Sequence, residues 1–174
     1  MEHKTTLLQK KNIPVIFRCS IIVTTFTIRD REKGHIMERR DKAAALLKEL
    51  HHCAQAVLCA YADELDVSEE TMKRFAASFG GGLATMEGNC GALIGAAMVL
   101  GLKKYQGKRI HHETVQLYRL FEQKCGATVC KELKGVGTGK VLCSCEECVQ
   151  NAVDALEEVL SGQSSIPNEP EDEQ

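Results

Sequence analysis

Cysteine is the residue type in this sequence that is best suited to chemistry. The chain has 174 residues and nine cysteines, an odd count that leaves at least one thiol unpaired if all the others form disulfides. They are Cys19, Cys53, Cys59, Cys90, Cys125, Cys130, Cys143, Cys145 and Cys148. Long helical patterns predict a hydrophobic core that needs no disulfide bonds for stability, so we expect the protein to lie in a reducing compartment, the cytoplasm. In that setting clustered thiols typically bind metals or carry out redox reactions.

Cys90 lies in surroundings that favour a reactive or metal-bound sulfur. Gly88, Asn89 and Gly91 flank it at the predicted start of an apolar helix. Unpaired backbone N–H groups at a helix start stabilise the thiolate, which is the form that attacks electrophiles and binds metals. The neighbouring glycines also allow a bulky inorganic group to approach the backbone. A glycine-rich turn without any chemistry is the alternative interpretation.

Three further cysteines lie together after a glycine-rich segment. Cys143 precedes a Cys-x-x-Cys pair formed by Cys145 and Cys148. This spacing suits a zinc knuckle, an iron-sulfur cluster or a dithiol redox pair. The sequence has no second Cys-x-x-Cys with zinc-site spacing, so a zinc ribbon is poorly supported.

The remaining cysteines and the paired histidines give no clear indication of chemistry by themselves. Cys53 shares the apolar stripe of the first predicted helix, and Cys125 shares an apolar face with aromatic residues, so both are interpreted as packing residues. Cys59 is also interpreted as structural, whereas Cys130 is uninformative alone. Two adjacent pairs of histidines occur at 51–52 and 111–112. Neighbouring helical residues point about 100° apart, so neither pair can easily bind one metal ion, and both are predicted to lie on solvated helix faces.

Apolar residues recur at steps of three and four along most of the chain, which predicts α-helices. The predicted helices cover roughly residues 38–65, 68–79, 90–102, 110–125 and 149–160, with Ser68 as an N-cap and a glycine-rich loop at 135–139 before the last helix. Aromatic residues are scarce and Trp is absent, in agreement with a core of Ala, Leu, Val and Met. We therefore predict an all-α fold, a compact bundle of about five helices.

The composition changes near residue 37. Residues 1–36 carry seven basic and three acidic side chains, whereas the rest of the chain has an acidic excess. This first segment is predicted to be an extension: a disordered segment, an edge strand, or a mis-called start with translation beginning at Met37. Residues 37–160 form the predicted helical domain, and residues 161–174 have the composition of a disordered acidic tail.

Charge and hydropathy argue against two classes of partner. A net charge of -2 gives no basic face for nucleic acid, so no nucleic-acid partner is expected. The apolar stretch at 13–28 is interrupted by Arg18 and is shorter than the roughly 20 residues of a membrane-spanning helix, so no membrane association is expected either. The same stretch is not followed by the small-x-small cleavage site of a secretion signal.

Taken in chain order, several short segments resemble the redox-active C-GCAxxG-C-C family over roughly Met37 to Leu160. They are Cys53-Ala-Gln-Ala-Val, Phe79-Gly-Gly-Gly-Leu, Cys90-Gly-Ala-Leu-Ile-Gly-Ala-Ala-Met-Val-Leu-Gly101, Cys130-Lys-Glu-Leu and Cys145-x-x-Cys148-Val. One departure is that the central motif here is Cys-Gly-Ala, whereas the family label is written Gly-Cys-Ala. Proteins of this family look like small helical domains related to the cluster-bearing part of split-Soret cytochromes c. Val149 after the last cysteine rules out a c-type haem motif here.

The resemblance implies a set of site residues. The family's four cysteines fall on Cys53, Cys90, Cys130 and Cys145, and in the cytochrome relatives cysteines hold a [2Fe-2S] centre. Gly91 and Gly95 would let the third predicted helix approach the first and bring two of these thiols together. Cys143 and Cys148 flank the fourth position and leave its assignment open.

Three functions are compatible with these residues. The first is electron transfer or redox sensing by an iron-sulfur cluster on the four implied cysteines, with a redox partner protein that the sequence does not identify. The second is a thiol-disulfide oxidoreductase in which Cys90 or Cys145 attacks and Cys148 or Cys143 resolves. The third is a structural zinc site in an interaction module. A homodimer is compatible with the resemblance and with the small-residue helix, and whether the protein is an enzyme stays open.

Overall fold

The computed structural model describes the backbone of residues 15–50, 52–164 and 166, and the side chains of these residues from 33 onward. The described residues form seven α-helices and, apart from a single bridge between Asn89 and Val129, no β-structure. The helices are α1 (Val15–Leu50), α2 (Cys53–Ala60), α3 (Glu69–Ala76), α4 (Gly91–Lys104), α5 (His111–Cys125), α6 (Cys130–Leu133) and α7 (Cys145–Leu160). The predicted all-α class is confirmed, with two more helices than the five expected.

The chain divides into two units, residues 1–35 and residues 36–174, and the packing described below is that of the second unit. The extension predicted at 1–36 falls partly outside the described residues, since only its backbone from residue 15 is described, as part of α1. The predicted tail also lies mostly outside them, at residues 165 and 167–174. Both assignments therefore stay predictions. None of the described helices is both long enough and apolar enough to cross a membrane.

The predicted single helix over 38–65 was wrong, because the chain breaks between α1 and α2. His52 has extended backbone angles, with φ -141° and ψ 107°, and its Nδ1 accepts a hydrogen bond from the Gln55 N–H. Its Nε2 lies 3.0 Å from the Ala77 carbonyl oxygen. His52 is thus a half-buried N-cap that also links two loops, and its predicted place on a solvated helix face was wrong. His51 lies outside the described residues.

The later helices begin close to where the sequence predicts. Ser68 caps α3 through a hydrogen bond from the Thr71 N–H, as expected. Cys90 is the N-cap residue of α4. Ser144 and Glu147 form a capping box at the start of α7. The helix therefore begins at Cys145, four residues before Val149, where the apolar pattern begins. The one-turn helix α6 is the element that the apolar pattern did not predict.

The core is built where α2, α4 and α7 meet, with α5 packed on α7 and α3 on α2. Small and aliphatic side chains fill it, among them Ala54, Val57, Ala92, Ala96, Val99, Ala152, Val153 and Leu156, all fully buried. The backbones of α2 and α4 approach closely because α4 has glycine at the contact. A Cβ on Gly91 would lie 2.5 Å from the Cys53 Sγ, and one on Gly95 would lie 2.6 Å from the Ala54 carbonyl oxygen.

A buried arginine fastens the second half of α1 to the end of α2. Arg39 is 3% exposed, pairs with the carboxylates of Asp63 and Glu64, and stacks 4.7 Å from the ring centroid of Tyr61. The Arg39 guanidinium, followed by the Lys42 ammonium, holds the pKa of Asp63 well below its usual range. This contact holds α1 in the position from which Leu47 reaches the cavity described below.

We expect Gly95→Ala to lower the free energy of unfolding by about 1–3 kcal/mol, because the added methyl has no room between α4 and α2. Gly101→Ala is the matched control on the same helix, since nothing lies within 4 Å of the position of its Cβ. The control should gain about 0.5–1 kcal/mol from the better helix propensity of alanine. Urea unfolding followed by circular dichroism measures both. Equal stability of the two variants would contradict the close approach.

Candidate metal centre

One cavity of about 710 Å³ collects cysteines from four separate helices. Its walls come from the starts of α2, α4, α6 and α7 and from the loop between α3 and α4. The lining residues are Leu47, His52, Cys53, Ala77, Ser78, Gly80, Gly81, Leu83, Ala84, Cys90, Cys130, Lys134, Cys145 and Cys148. All four cysteines named from the resemblance therefore line this cavity, together with Cys148. The eight cysteines whose side chains the structure describes, all but Cys19, are free thiols.

The helix starts position these thiols. Cys53 is the first residue of α2, Cys145 is the first residue of α7, and Cys90 is the N-cap of α4. The first N–H groups of a helix have no partner within the helix, and they point toward whatever lies at its start. Cys130 opens the one-turn helix α6 and contributes a fourth sulfur to the cavity lining.

Backbone N–H groups point at two of the cavity sulfurs. Cys53 accepts hydrogen bonds from the N–H groups of Gly81 and Ala54, and Cys90 accepts one from the N–H of Ala92. Such donors stabilise negative charge on sulfur, so both positions suit a thiolate bound to a cation.

The cavity thiols are also hydrogen-bonded to one another. The thiol of Cys53 donates to Cys90, and this bond together with burial raises the pKa of Cys53 far above its ordinary value. The thiol of Cys90 donates to Cys148, which raises the pKa of Cys90 to about 12, with burial contributing in the same direction. Burial likewise raises the pKa of Cys130. The metal-free protein therefore holds these groups as neutral thiols, and a bound cation would displace their protons.

Lys134 is the basic residue at the rear of the cavity. Its Nζ donates to the Cys143 carbonyl oxygen at 2.6 Å and lies 3.4 Å from the Cys148 Sγ. Burial alone would lower the pKa of Lys134, but the sulfurs of Cys148 and Cys145 raise it above its ordinary value. A charged ammonium is thus held beside the thiols, where it offsets the negative charge that metal binding would create.

The loop over the cavity has a left-handed backbone. Gly81 and Gly82 have positive φ, and so do the non-glycine residues Leu83, Ala84 and Met86, with φ of 58°, 60° and 63°. Each non-glycine residue in this region costs about 1–2 kcal/mol, and such strain is concentrated at functional sites. The sequence pattern did not predict this conformation, which turns the N–H of Gly81 toward the Cys53 sulfur.

A second group of cysteines lies behind the cavity. The sulfurs of Cys125, Cys143 and Cys148, here called the rear trio, all lie within 4.8 Å of one another, close enough to hold one metal ion. All three side chains are buried. From the sequence, Cys143 and Cys148 are already grouped as possible metal or redox thiols, whereas Cys125 is interpreted as a packing residue. Spacing does not add Cys125 to the other two, because it ends α5 and comes from a different part of the chain.

Comparison with known proteins links the cavity to a family. The family model described as "Putative redox-active protein (C_GCAxxG_C_C)" matches residues 51–159, a stretch that includes every cysteine of the cavity and of the rear trio. Searches of curated proteins and of solved structures found no match.

In the reduced, metal-free protein we expect alkylating reagents to modify Cys145 well before Cys90. Cys145 is exposed, whereas Cys90 is buried and its pKa is raised to about 12, so its thiolate is scarce at neutral pH. The rate at Cys90 should climb as the pH approaches that value. Timed iodoacetamide labelling with peptide mass mapping measures both rates, and labelling in urea removes the effect of burial. Equal rates at neutral pH in the folded protein would contradict the site described.

Proposed function

Because the chain belongs to the C_GCAxxG_C_C family of redox-active proteins, we propose that its cavity holds an iron-sulfur cluster of the [2Fe-2S] type, used for electron transfer or redox sensing. The observation that carries the proposal is the convergence of Cys53, Cys90, Cys130 and Cys145 on one cavity from four different helices. When bound, such a cluster accepts and releases single electrons.

The residues of the cavity suit this group. Thiolates are the soft ligands that iron-sulfur clusters require, and N–H donors to sulfur adjust the reduction potential. The N–H groups of Gly81, Ala54 and Ala92 already serve Cys53 and Cys90 in this way. Leu47 and Leu83 contribute apolar side chains to the lining, and apolar surroundings influence the reduction potential of a bound cluster.

The separation of the thiols favours a cluster over a single ion. Within the described residues, the three sulfurs of the rear trio lie within 4.8 Å of one another, while no three sulfurs of the proposed cavity four lie that close together. A cluster of two irons and two sulfides spans a wider space than one ion. The arrangement therefore supports a cluster in the cavity rather than a structural zinc site on the same four residues.

We assign the fourth ligand to Cys145 rather than Cys148. Both line the cavity, but Cys148 is fully buried and its sulfur already lies within the rear trio. Cys145 is exposed at the first position of α7 and is not a member of that trio. Electrons would then be exchanged with a partner protein at the exposed Cys145 side.

A thiol-disulfide oxidoreductase is the second candidate function. It is supported by the hydrogen bonds that place Cys90 next to both Cys53 and Cys148, within reach of disulfide exchange. The raised pKa of Cys90 disfavours it, because the attacking species is the thiolate.

We expect anaerobically purified or reconstituted protein to contain about two iron and two sulfide ions per chain, with the visible absorption and the paramagnetic resonance of a [2Fe-2S] centre. Cys53→Ser, Cys90→Ser and Cys130→Ser should each lose most of the iron, because a hydroxyl replaces a thiolate ligand. Cys59→Ser, at a buried cysteine outside both groups, is the matched control and should keep it. Absence of iron and sulfide after reconstitution would sink the proposal. Zinc alone would favour a structural site, and one reversible disulfide without metal would favour the oxidoreductase.

Iron content also tests the choice between Cys145 and Cys148. Cys145→Ser should lose the cluster, whereas Cys148→Ser should retain most of it with altered spectra, since Cys148 contacts the ligand Cys90 without being a ligand itself. The same iron, sulfide and resonance measurements apply to both variants. The reverse pattern would show that the fourth ligand is Cys148.

A further inference from the structure

The rear trio has the features of a separate metal site. Cys125 is the last residue of α5, Cys143 lies in the segment before α7, and Cys148 lies in the first turn of α7. The three side chains are only 3%, 4% and 0% exposed. Two of the three, Cys125 and Cys143, do not line the cavity, so the group is distinct from the four cysteines assigned to the cluster.

Each sulfur of the rear trio faces a nitrogen donor. The amide Nδ2 of Asn151 lies 3.4 Å from the Cys125 Sγ and 3.8 Å from the Cys143 Sγ. The ammonium of Lys134 lies 3.4 Å from the Cys148 Sγ. Buried thiols that only fill space need no such donors, whereas thiolates bound to a metal are stabilised by them. Asn151 and Lys134 are therefore placed as supporting residues of a thiolate site.

We propose that Cys125, Cys143 and Cys148 bind one Cu(I) ion in three-coordinate geometry. Thiolates are the ligands that select soft Cu(I). Among the described residues, no fourth cysteine, histidine or carboxylate offers a ligand atom within 4.8 Å of all three sulfurs, and the three side chains are buried. Structural zinc sites need four ligands and catalytic zinc sites keep an open position, so this closed group of three suits Cu(I) better.

Charge and atoms balance in this binding step. Three S–H bonds break, three Cu–S bonds form, and three protons leave to solvent, while copper enters and stays as Cu(I). Three thiolates and one Cu(I) leave two negative charges, and the ammonium of Lys134 offsets one of them. The remaining charge is spread over sulfurs that accept hydrogen bonds from Asn151.

The test isolates the rear trio by removing the cavity ligands. In reduced, metal-free protein carrying Cys53→Ser, Cys90→Ser, Cys130→Ser and Cys145→Ser, anaerobic titration with Cu(I) against a chromogenic Cu(I) chelator should show one tightly bound ion. Adding Cys125→Ser and Cys143→Ser should weaken binding by at least about 100-fold, since a single thiolate remains. Adding Cys59→Ser instead should change nothing. X-ray absorption of the loaded protein should show three sulfur neighbours around copper.

If the four-fold variant loses its helical circular dichroism signal, the same Cu(I) titration is carried out on the unsubstituted protein. That protein should bind one Cu(I) more than the Cys125→Ser, Cys143→Ser variant. Equal copper content would overturn the proposal, as would a disulfide within the trio that blocks loading under reducing conditions. Zinc bound in preference to copper, with a fourth light atom in its shell, would overturn the three-coordinate assignment. The iron content of the Cys125→Ser, Cys143→Ser variant reports on the cluster proposal separately.

Discussion

The contact between the backbones of α2 and α4 determines where the sulfurs of Cys53 and Cys90 lie. At Gly91 and Gly95 the two helices are so close that a single methyl group would overlap a carbonyl oxygen or a sulfur. Two helix starts are thereby held side by side. Cys53 is the first residue of α2, and Cys90 is the N-cap of α4. A side chain at Gly91 would therefore overlap the Cys53 sulfur directly.

The parts of the fold that sequence reasoning predicts are those set by local chemistry. The starts of α3, α4 and α5 follow from Ser68, Cys90 and the apolar pattern beginning near Ile110, each within a residue of the structure. The set of cysteines that lines the cavity could not be predicted from local patterns. Cys53 and Cys130 carry no local signal, and only their order within the family pattern groups them with Cys90 and Cys145.

The parts that could not be predicted depend on contacts distant in sequence. The apolar period runs in phase from Leu47 through Val57, so it hides the break that His52 creates with the help of Ala77, 25 residues away. Histidine is also not among the usual N-cap residues. Similarly, Cys125 joins Cys143 and Cys148 only because α5 packs on α7, and helical period alone assigns it to the core.

Cys148 connects the two groups of sulfurs through its contacts. Cys90 is hydrogen-bonded to both Cys53 and Cys148, while the Cys148 thiol donates to the Cys143 carbonyl oxygen, 3.7 Å from its Sγ. Among the rear trio, Cys148 is the member that lines the cavity. A group bound in the cavity would therefore cover the side of Cys148 that faces the cavity, and a substitution at Cys148 would be felt in both groups of sulfurs.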